Sequence, residues 1–311
     1  DAIEELEIIT GGYNAEYGQA MSGIVNIKLK EGRDNYEGSI KFASDRIFAQ
    51  QFSTDRIEFN FGGPAFLLQT FPELIGIDLP GKFSFFLNGY GKAYDGNLPV
   101  ADQLHPHRFW SSGILSESSS DQIMKNLAIR ENNDWHVLYK LSWIVNPKKK
   151  LSLSYDLSMN INQGYFMPRA FSSTYFPYAY INILDNYNTI TRDTRLLSLN
   201  WNHTLSNRSF YEFTIGKFIT MEHSAVQDAM WDEYEERLDL EPINYSVDNT
   251  SMDGNIYITY GDEFYDHGFA PEWYDINSDN IRLDFDWTYH TLSKHKLKMG
   301  FEHTITDMQV L

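Results

Sequence analysis

The 311 residues carry 43 acidic and 25 basic side chains, and a net charge of −18 excludes the basic face that nucleic-acid binding requires. There is no cysteine, so no disulfide contributes, and no run of eighteen apolar residues, so the sequence holds no transmembrane helix. The charge is local: residues 222–279 hold 16 acidic side chains against one basic, Arg237, and the rest of the chain is nearly neutral.

The sequence opens on EIITGGYNAEYGQAMSGIVNIKLKEG, residues 7–32. Glu7-Ile8-Ile9-Thr10 has the branched residues of a strand, and Gly11-Gly12 suits a sharp exit from it. Asn14 to Gly18 has turn chemistry, and Ile24 to Lys30 alternates, with Ile27 and Leu29 on one face and Asn26, Lys28 and Lys30 on the other. Spacing alone describes a strand, a compact loop and a strand, which any α+β domain can contain. The residues say more. Gly11, Gly12, Tyr13, Asn14, Glu16, Tyr17, Gly18, Ser22, Gly23 and Asn26 form a motif that closely resembles the end of the plug domain of TonB-dependent outer-membrane receptors.

That resemblance implies an all-β fold, part of a large antiparallel transmembrane β-barrel of about 22 strands, preceded by the last strands of a small α/β plug. Residues 1–32 are then the end of the plug and 33–311 the first part of the barrel. An aromatic content of 15% suits the girdles of such barrels.

Beyond the plug motif the sequence reads as strands without helices. Leu151 to Asn162 has apolar or aromatic residues at every odd position and Ser, Asp or Asn at every even one. Ile281, Leu283, Phe285, Trp287 and Tyr289 repeat the pattern, and Trp135, Val137, Tyr139, Leu141, Trp143 and Val145 form another apolar row. Nine such segments are expected, near 36–47, 54–62, 82–93, 134–146, 150–162, 192–205, 209–221, 279–292 and 295–306. Most are long enough to cross a bilayer at a tilt.

Connection length sorts by parity. Segments four, six and eight are followed by the short turns Asn146-Pro147-Lys148-Lys149, Ser206-Asn207-Arg208 and Ser293-Lys294. Segments three, five and seven are followed by long stretches, roughly 94–133, 163–191 and 222–278. With the plug in the periplasm the short turns are periplasmic and the long loops extracellular. The stretch 63–81, opening on Gly62-Gly63-Pro64, is a long exception on the periplasmic side. Nine strands fall short of a closed receptor barrel, so an internal piece of a longer protein is expected.

Catalytic patterns are absent or weak. No nucleotide-binding G-x-x-x-x-G-K-[ST] loop and no H-E-x-x-H occur. His105-Pro106-His107 and the pair Asp284 and Asp286 read as surface and lumen polarity, and no metal, cofactor or enzymatic activity is expected. For the acidic segment three readings stay open: a solvated outer loop, a recognition surface, or divalent-cation bridging to lipopolysaccharide. In the second, Trp231, Asp232, Tyr234, Trp273 and Tyr274 supply stacking faces and acceptors, with Trp110 and Tyr165 from other outer loops.

The resemblance further implies TonB-energised import of a scarce solute across the bacterial outer membrane. A siderophore, cobalamin, a peptide and a glycan all stay open. The partners implied are outer-membrane lipid, the TonB complex through an upstream segment, and the solute; a lipoprotein or other surface partner also fits, and nucleic acid does not. A non-transporting surface interaction or scaffold protein is the alternative, and a secreted all-β carbohydrate-active enzyme a distant third.

Overall fold

The computed structural model describes residues 2–9, 24–45, 54–74, 76–94, 132–163, 183–234, 273–292 and 295–311. The plug-motif residues 11–18, 22 and 23 lie outside them, as do Trp110 and Tyr165; Asn26 contributes its backbone to a strand. Two strands, β1 (Ile3–Ile9) and β2 (Ile24–Leu29), pair antiparallel as a small separate sheet.

All nine expected segments are strands, and they form one antiparallel sheet in strict chain order. They are β3 (Glu37–Ser44), β4 (Asp55–Pro64), β5 (Lys82–Tyr94), β6 (Asn132–Asn146), β7 (Lys149–Asn162), β8 (Thr189–Ser206), β9 (Ser209–Ala225), β10 (Tyr274–His290) and β11 (Lys296–Val310). The sheet is open, with β3 and β11 as its edges. Apart from the connection 65–81, the long ones gather at one end of the strands. The other end carries the tight turns at 147–148 and 207–208.

Register sorts the side chains onto two unlike faces. Across β6 and β7, Trp143 faces Leu151, Leu141 faces Leu153, Tyr139 faces Tyr155 and Val137 faces Leu157. On the opposite face, Ser142 meets Ser152, Lys140 meets Ser154 and His136 meets Ser158. The apolar rows continue through Leu199, Ile215 and Leu283, and through Trp201, Phe213, Phe285 and Phe301. The polar rows continue through Asn200, Thr214, Asp284 and Glu302. Leu196, Phe210 and Phe218 are exposed apolar residues on the polar face. Strands that alternate this cleanly separate two different surroundings.

Two sequence expectations are corrected. The stretch after β4 contains a helix, α1 (Phe66–Leu74), where strands without helices are expected. Three polar residues among six apolar ones, with Pro72 inside, leave too short a stretch for a helical period to show in nine residues. Gly76 ends it with φ of +80°: its N–H donates to the Glu73 carbonyl at 3.1 Å, and Ile77 N–H to the Pro72 carbonyl at 2.8 Å. The acidic stretch is also shorter as a loop than 222–279. Glu222–Ala225 belong to β9 and Tyr274–Asp279 to β10, because the hydrogen-bond ladder continues after the apolar alternation has stopped.

Burial concentrates toward the end with the long connections, at Asn133, Ile161, Gln163, Asn188, Ile190, Asp193, His223, Ser224, Ala225 and Val226. A second group, Phe86, Asn88, Leu138, Ser142 and Ser152, lies on the polar face nearer the tight turns.

Candidate functional site

Three strands bring an ion pair and a phenol together on the polar face, near the long connections. Register sets Arg192 of β8 opposite Glu222 of β9, and Tyr274 of β10 lies diagonal to it. Arg192 donates Nε to Glu222 Oε2 at 2.7 Å and Nη2 to Oε1 at 3.1 Å; the Tyr274 hydroxyl donates to Oε1 at 2.7 Å. A two-pronged guanidinium–carboxylate contact fixes both planes. Asn160 stands opposite Arg192, Asp134 opposite Asn160, and Thr194, Thr220 and Ser278 line the next row. The result is a ladder of hydrogen-bond donors and acceptors suited to a polar solute.

Above this ladder the chain leaves β9 through a shaped turn. Val226 is fully buried, with Tyr187, Ala229 and Trp273 packed against it. Gln227 and Asp228 follow in the left-handed region, with φ of 52° and 53°. The Gln227 side-chain amide donates to Asn186 Oδ1 at 3.0 Å, tying the turn to the short 3-10 turn Leu184–Asn186. Trp273 donates its indole N–H to the Ala229 carbonyl at 3.2 Å and meets the His223 ring edge-on at 5.7 Å. His223 itself lies between Asp228 and Asp275, at 3.5 and 3.9 Å.

The sequence-expected residues thus divide by role. Trp273 and Tyr274 are struts of the turn and the ladder. Trp231 opens a second 3-10 turn, Trp231–Tyr234, and stands 59% exposed beside exposed Asp232 and Glu233, a stacking face next to carboxylates. Tyr234 contributes backbone to that turn. Glu233 fastens it by accepting from the Met230 N–H at 2.7 Å.

A second site, invisible to sequence reading, joins the β2–β3 connection to the sheet. Glu31 accepts from Lys140 of β6 at 2.8 Å and from Lys150 of β7 at 2.5–2.6 Å, and Lys140 also donates to the Leu29 carbonyl at 3.3 Å. Burial opposes ionisation of Glu31, but the hydrogen bonds and charges of the two lysines outweigh it and hold its carboxyl below the usual range. Gly32 lies so close to the sheet that a Cβ there would sit 2.2 Å from the Phe85 carbonyl oxygen. This segment therefore rests on the polar face near the tight turns. Pairs this distant in sequence leave no local pattern to find.

Among the described residues no group of three side chains could hold a metal ion. Asp284 and Asp286 lie in a mixed wall where Arg282 donates to Asp284 at 2.9 Å and to Glu302 at 3.0 Å.

The class defined by these features is an all-β chain whose one open antiparallel sheet has an apolar and a polar face. No protein-family model matches the chain, and no curated protein matches it in sequence. In structure it is similar to the siderophore receptor PirA from Acinetobacter baumannii, with a TM-score of 0.40 and 14% identity, over 99% of this chain and 45% of that one. The chain spans less than half the length of that receptor.

Proposed function

We propose that this chain is wall and plug-end of an outer-membrane receptor that imports a solute with energy delivered through TonB. The observation that carries the reading is the contrast between the two faces of the sheet. Val137, Tyr139, Tyr155, Leu197, Ile215, Ile281, Met299, Phe301 and Ile305 are all exposed on one face. A contiguous apolar surface of that extent needs a non-aqueous neighbour. Ile281–Tyr289 of β10 covers a crossing length for a tilted strand, about 9–11 residues. Ion pairs bound the apolar rows on one side: Lys217 to Asp279 at 2.8 Å, and Arg195 to Asp193.

Residues 1–32 end the plug, and 33–311 begin the barrel. The plug motif is the sequence feature behind the TonB assignment; the seating of residues 29–32 on the polar face is consistent with a plug inside a lumen. The Arg192–Glu222–Tyr274 ladder and the Trp231 turn form the solute's first contacts, at the extracellular end. The chain has no catalytic role in this reading.

Uptake by a deletion strain tests it. Loss of accumulation of one siderophore, cobalamin, peptide or glycan, restored by the intact gene and abolished by collapsing the proton gradient, supports energised import. Unchanged uptake of every solute, with retained surface exposure, would favour a non-transporting interaction protein.

A further inference from the structure

The helix α1 stands apart from both sites. At 100° per residue, Gln69, Thr70 and Glu73 fall on one side of it, and Leu67, Leu68 and Leu74 on the other. The described apolar residues on that side are exposed, Leu67 by 79%, Leu74 by 78% and Leu68 by 41%. Phe66 is exposed too, and Ile77 just beyond the Schellman-type stop. Between Ala65 and Gly81 there are two acidic residues, Glu73 and Asp78, and no basic one.

Its position says what covers it. The helix joins β4 to β5 at the end of the sheet that carries the tight turns. Ala65 N–H donates to the Phe83 carbonyl at 2.8 Å, which fixes the entry. The exit is fixed to the apolar face: Trp143 donates its indole N–H to the Pro80 carbonyl at 2.9 Å and stacks on Phe83 at 5.1 Å. Trp143 and Phe83 belong to the outward aromatic belt, which continues through Phe85, Phe61 and Tyr36. The polar face at this end is taken by the Glu31 segment. So the helix hangs from the rim of the apolar face, continuous with the surface already assigned to lipid.

We propose that α1 is an interfacial membrane helix, lying along the periplasmic leaflet with Leu67, Leu68 and Leu74 in the headgroup–acyl boundary. Such helices bind through apolar burial, and without basic residues this one has no preference for anionic lipid. It would act as a foot that fixes the height of the β4–β5 hairpin in the bilayer. The inference rests on the membrane reading above.

The test uses the full-length protein in phosphatidylethanolamine-containing vesicles, with an environment-sensitive fluorophore on a single introduced cysteine at Leu67, Glu73 or Ile215. Ile215, on the wall, reports the membrane reading alone, through quenching by lipid that carries its nitroxide deep in the acyl chain. The expected result is quenching of the Leu67 probe by headgroup-level nitroxide lipid, at least about twofold above the Glu73 probe, with iodide quenching Glu73 preferentially. Ile215 quenched by lipid while Leu67 is quenched by iodide as Glu73 is would overturn the helix inference and leave the membrane reading standing. A Leu67 probe shielded from both quenchers would overturn it in favour of a protein partner. An Ile215 probe untouched by lipid quencher would overturn both.

Discussion

Glu31 and Lys140 meet at 2.8 Å on the polar face of the sheet, although they lie far apart in the chain, and Lys150 completes the contact from the neighbouring strand. The pair fastens the segment after β2 to the wall, and its strength depends on the carboxyl staying ionised. Because that carboxyl titrates below its ordinary value, near 4.5, its contribution is fully present above that value. It is lost as pH falls through the lower folded-state value. Glu31→Gln should therefore lower stability at neutral pH, by about 1–3 kcal/mol for a half-buried charged contact. The difference from the parent protein should shrink on acidification below the ordinary carboxylate range. Detergent-phase melting curves of both proteins across pH check this; a difference independent of pH would mean that Glu31 acts through packing.

Gly32 tests the same seat by shape instead of charge. A Cβ at this position would come within 2.7 Å of the Gly63 carbonyl oxygen and closer still to that of Phe85. Both obstacles are backbone and cannot rotate away. Gly32→Ala should lift the segment and cost about 1–3 kcal/mol, as overpacking does. Gly216→Ala is the control, since its nearest neighbour would be 4.0 Å away. The expected outcome is a lower melting temperature for the first variant and nearly none of that loss for the second.

Which parts of this molecule were legible in its sequence depends on the range of each interaction. The nine strands were, because Leu151, Leu153, Tyr155 and Leu157 alternate with Ser152, Ser154, Asp156 and Ser158 within a dozen residues. Their ends were not. At Asp275 and Asn277 the ladder continues with polar residues on the face that is apolar lower down, while Ile276 takes the polar one, so the hydropathy pattern inverts and no longer marks the same strand. The helix was missed because its three polar residues sit among six apolar ones, and Pro72 argues locally against helix. The Glu31 seat and the Arg192–Glu222 pair depend on which strands become neighbours, which no single segment encodes. Trp273 and Trp231 look alike in sequence; only the fold gives one an internal partner at Ala229 and leaves the other exposed.

The two faces make opposite predictions at adjacent positions. Ile215 faces Leu199 and Leu283 in an apolar row, whereas Thr214 faces Asp284 and accepts from the Asn200 amide at 2.9 Å. In a lipid-facing row, Ile215→Arg should cost about 2–4 kcal/mol near the bilayer midplane. Thr214→Arg would bring a cation beside Asp284 and should be tolerated. Yields of heat-modifiable folded protein in detergent separate the two, and equal sensitivity would remove the lipid assignment of the apolar face.

Sidedness can be read from two exposed residues at opposite ends of the strands. Trp231 follows β9 at the end bearing the long connections, and Lys148 lies in the tight turn between β6 and β7 at the other. In an antiparallel meander these ends alternate without exception, so fixing one fixes all. Trp231→Cys should react with a membrane-impermeant thiol reagent in intact cells. Lys148→Cys should react only after the outer membrane has been permeabilised. Both positions are exposed and residues 1–311 hold no cysteine, so a difference in labelling between the two variants reports access and not burial. The reverse pattern would turn the barrel over, placing the Glu31 seat outside and the acidic stretch in the periplasm. The Arg192–Glu222–Tyr274 ladder would then face the wrong compartment for first capture of a solute, and the import reading would fall with it.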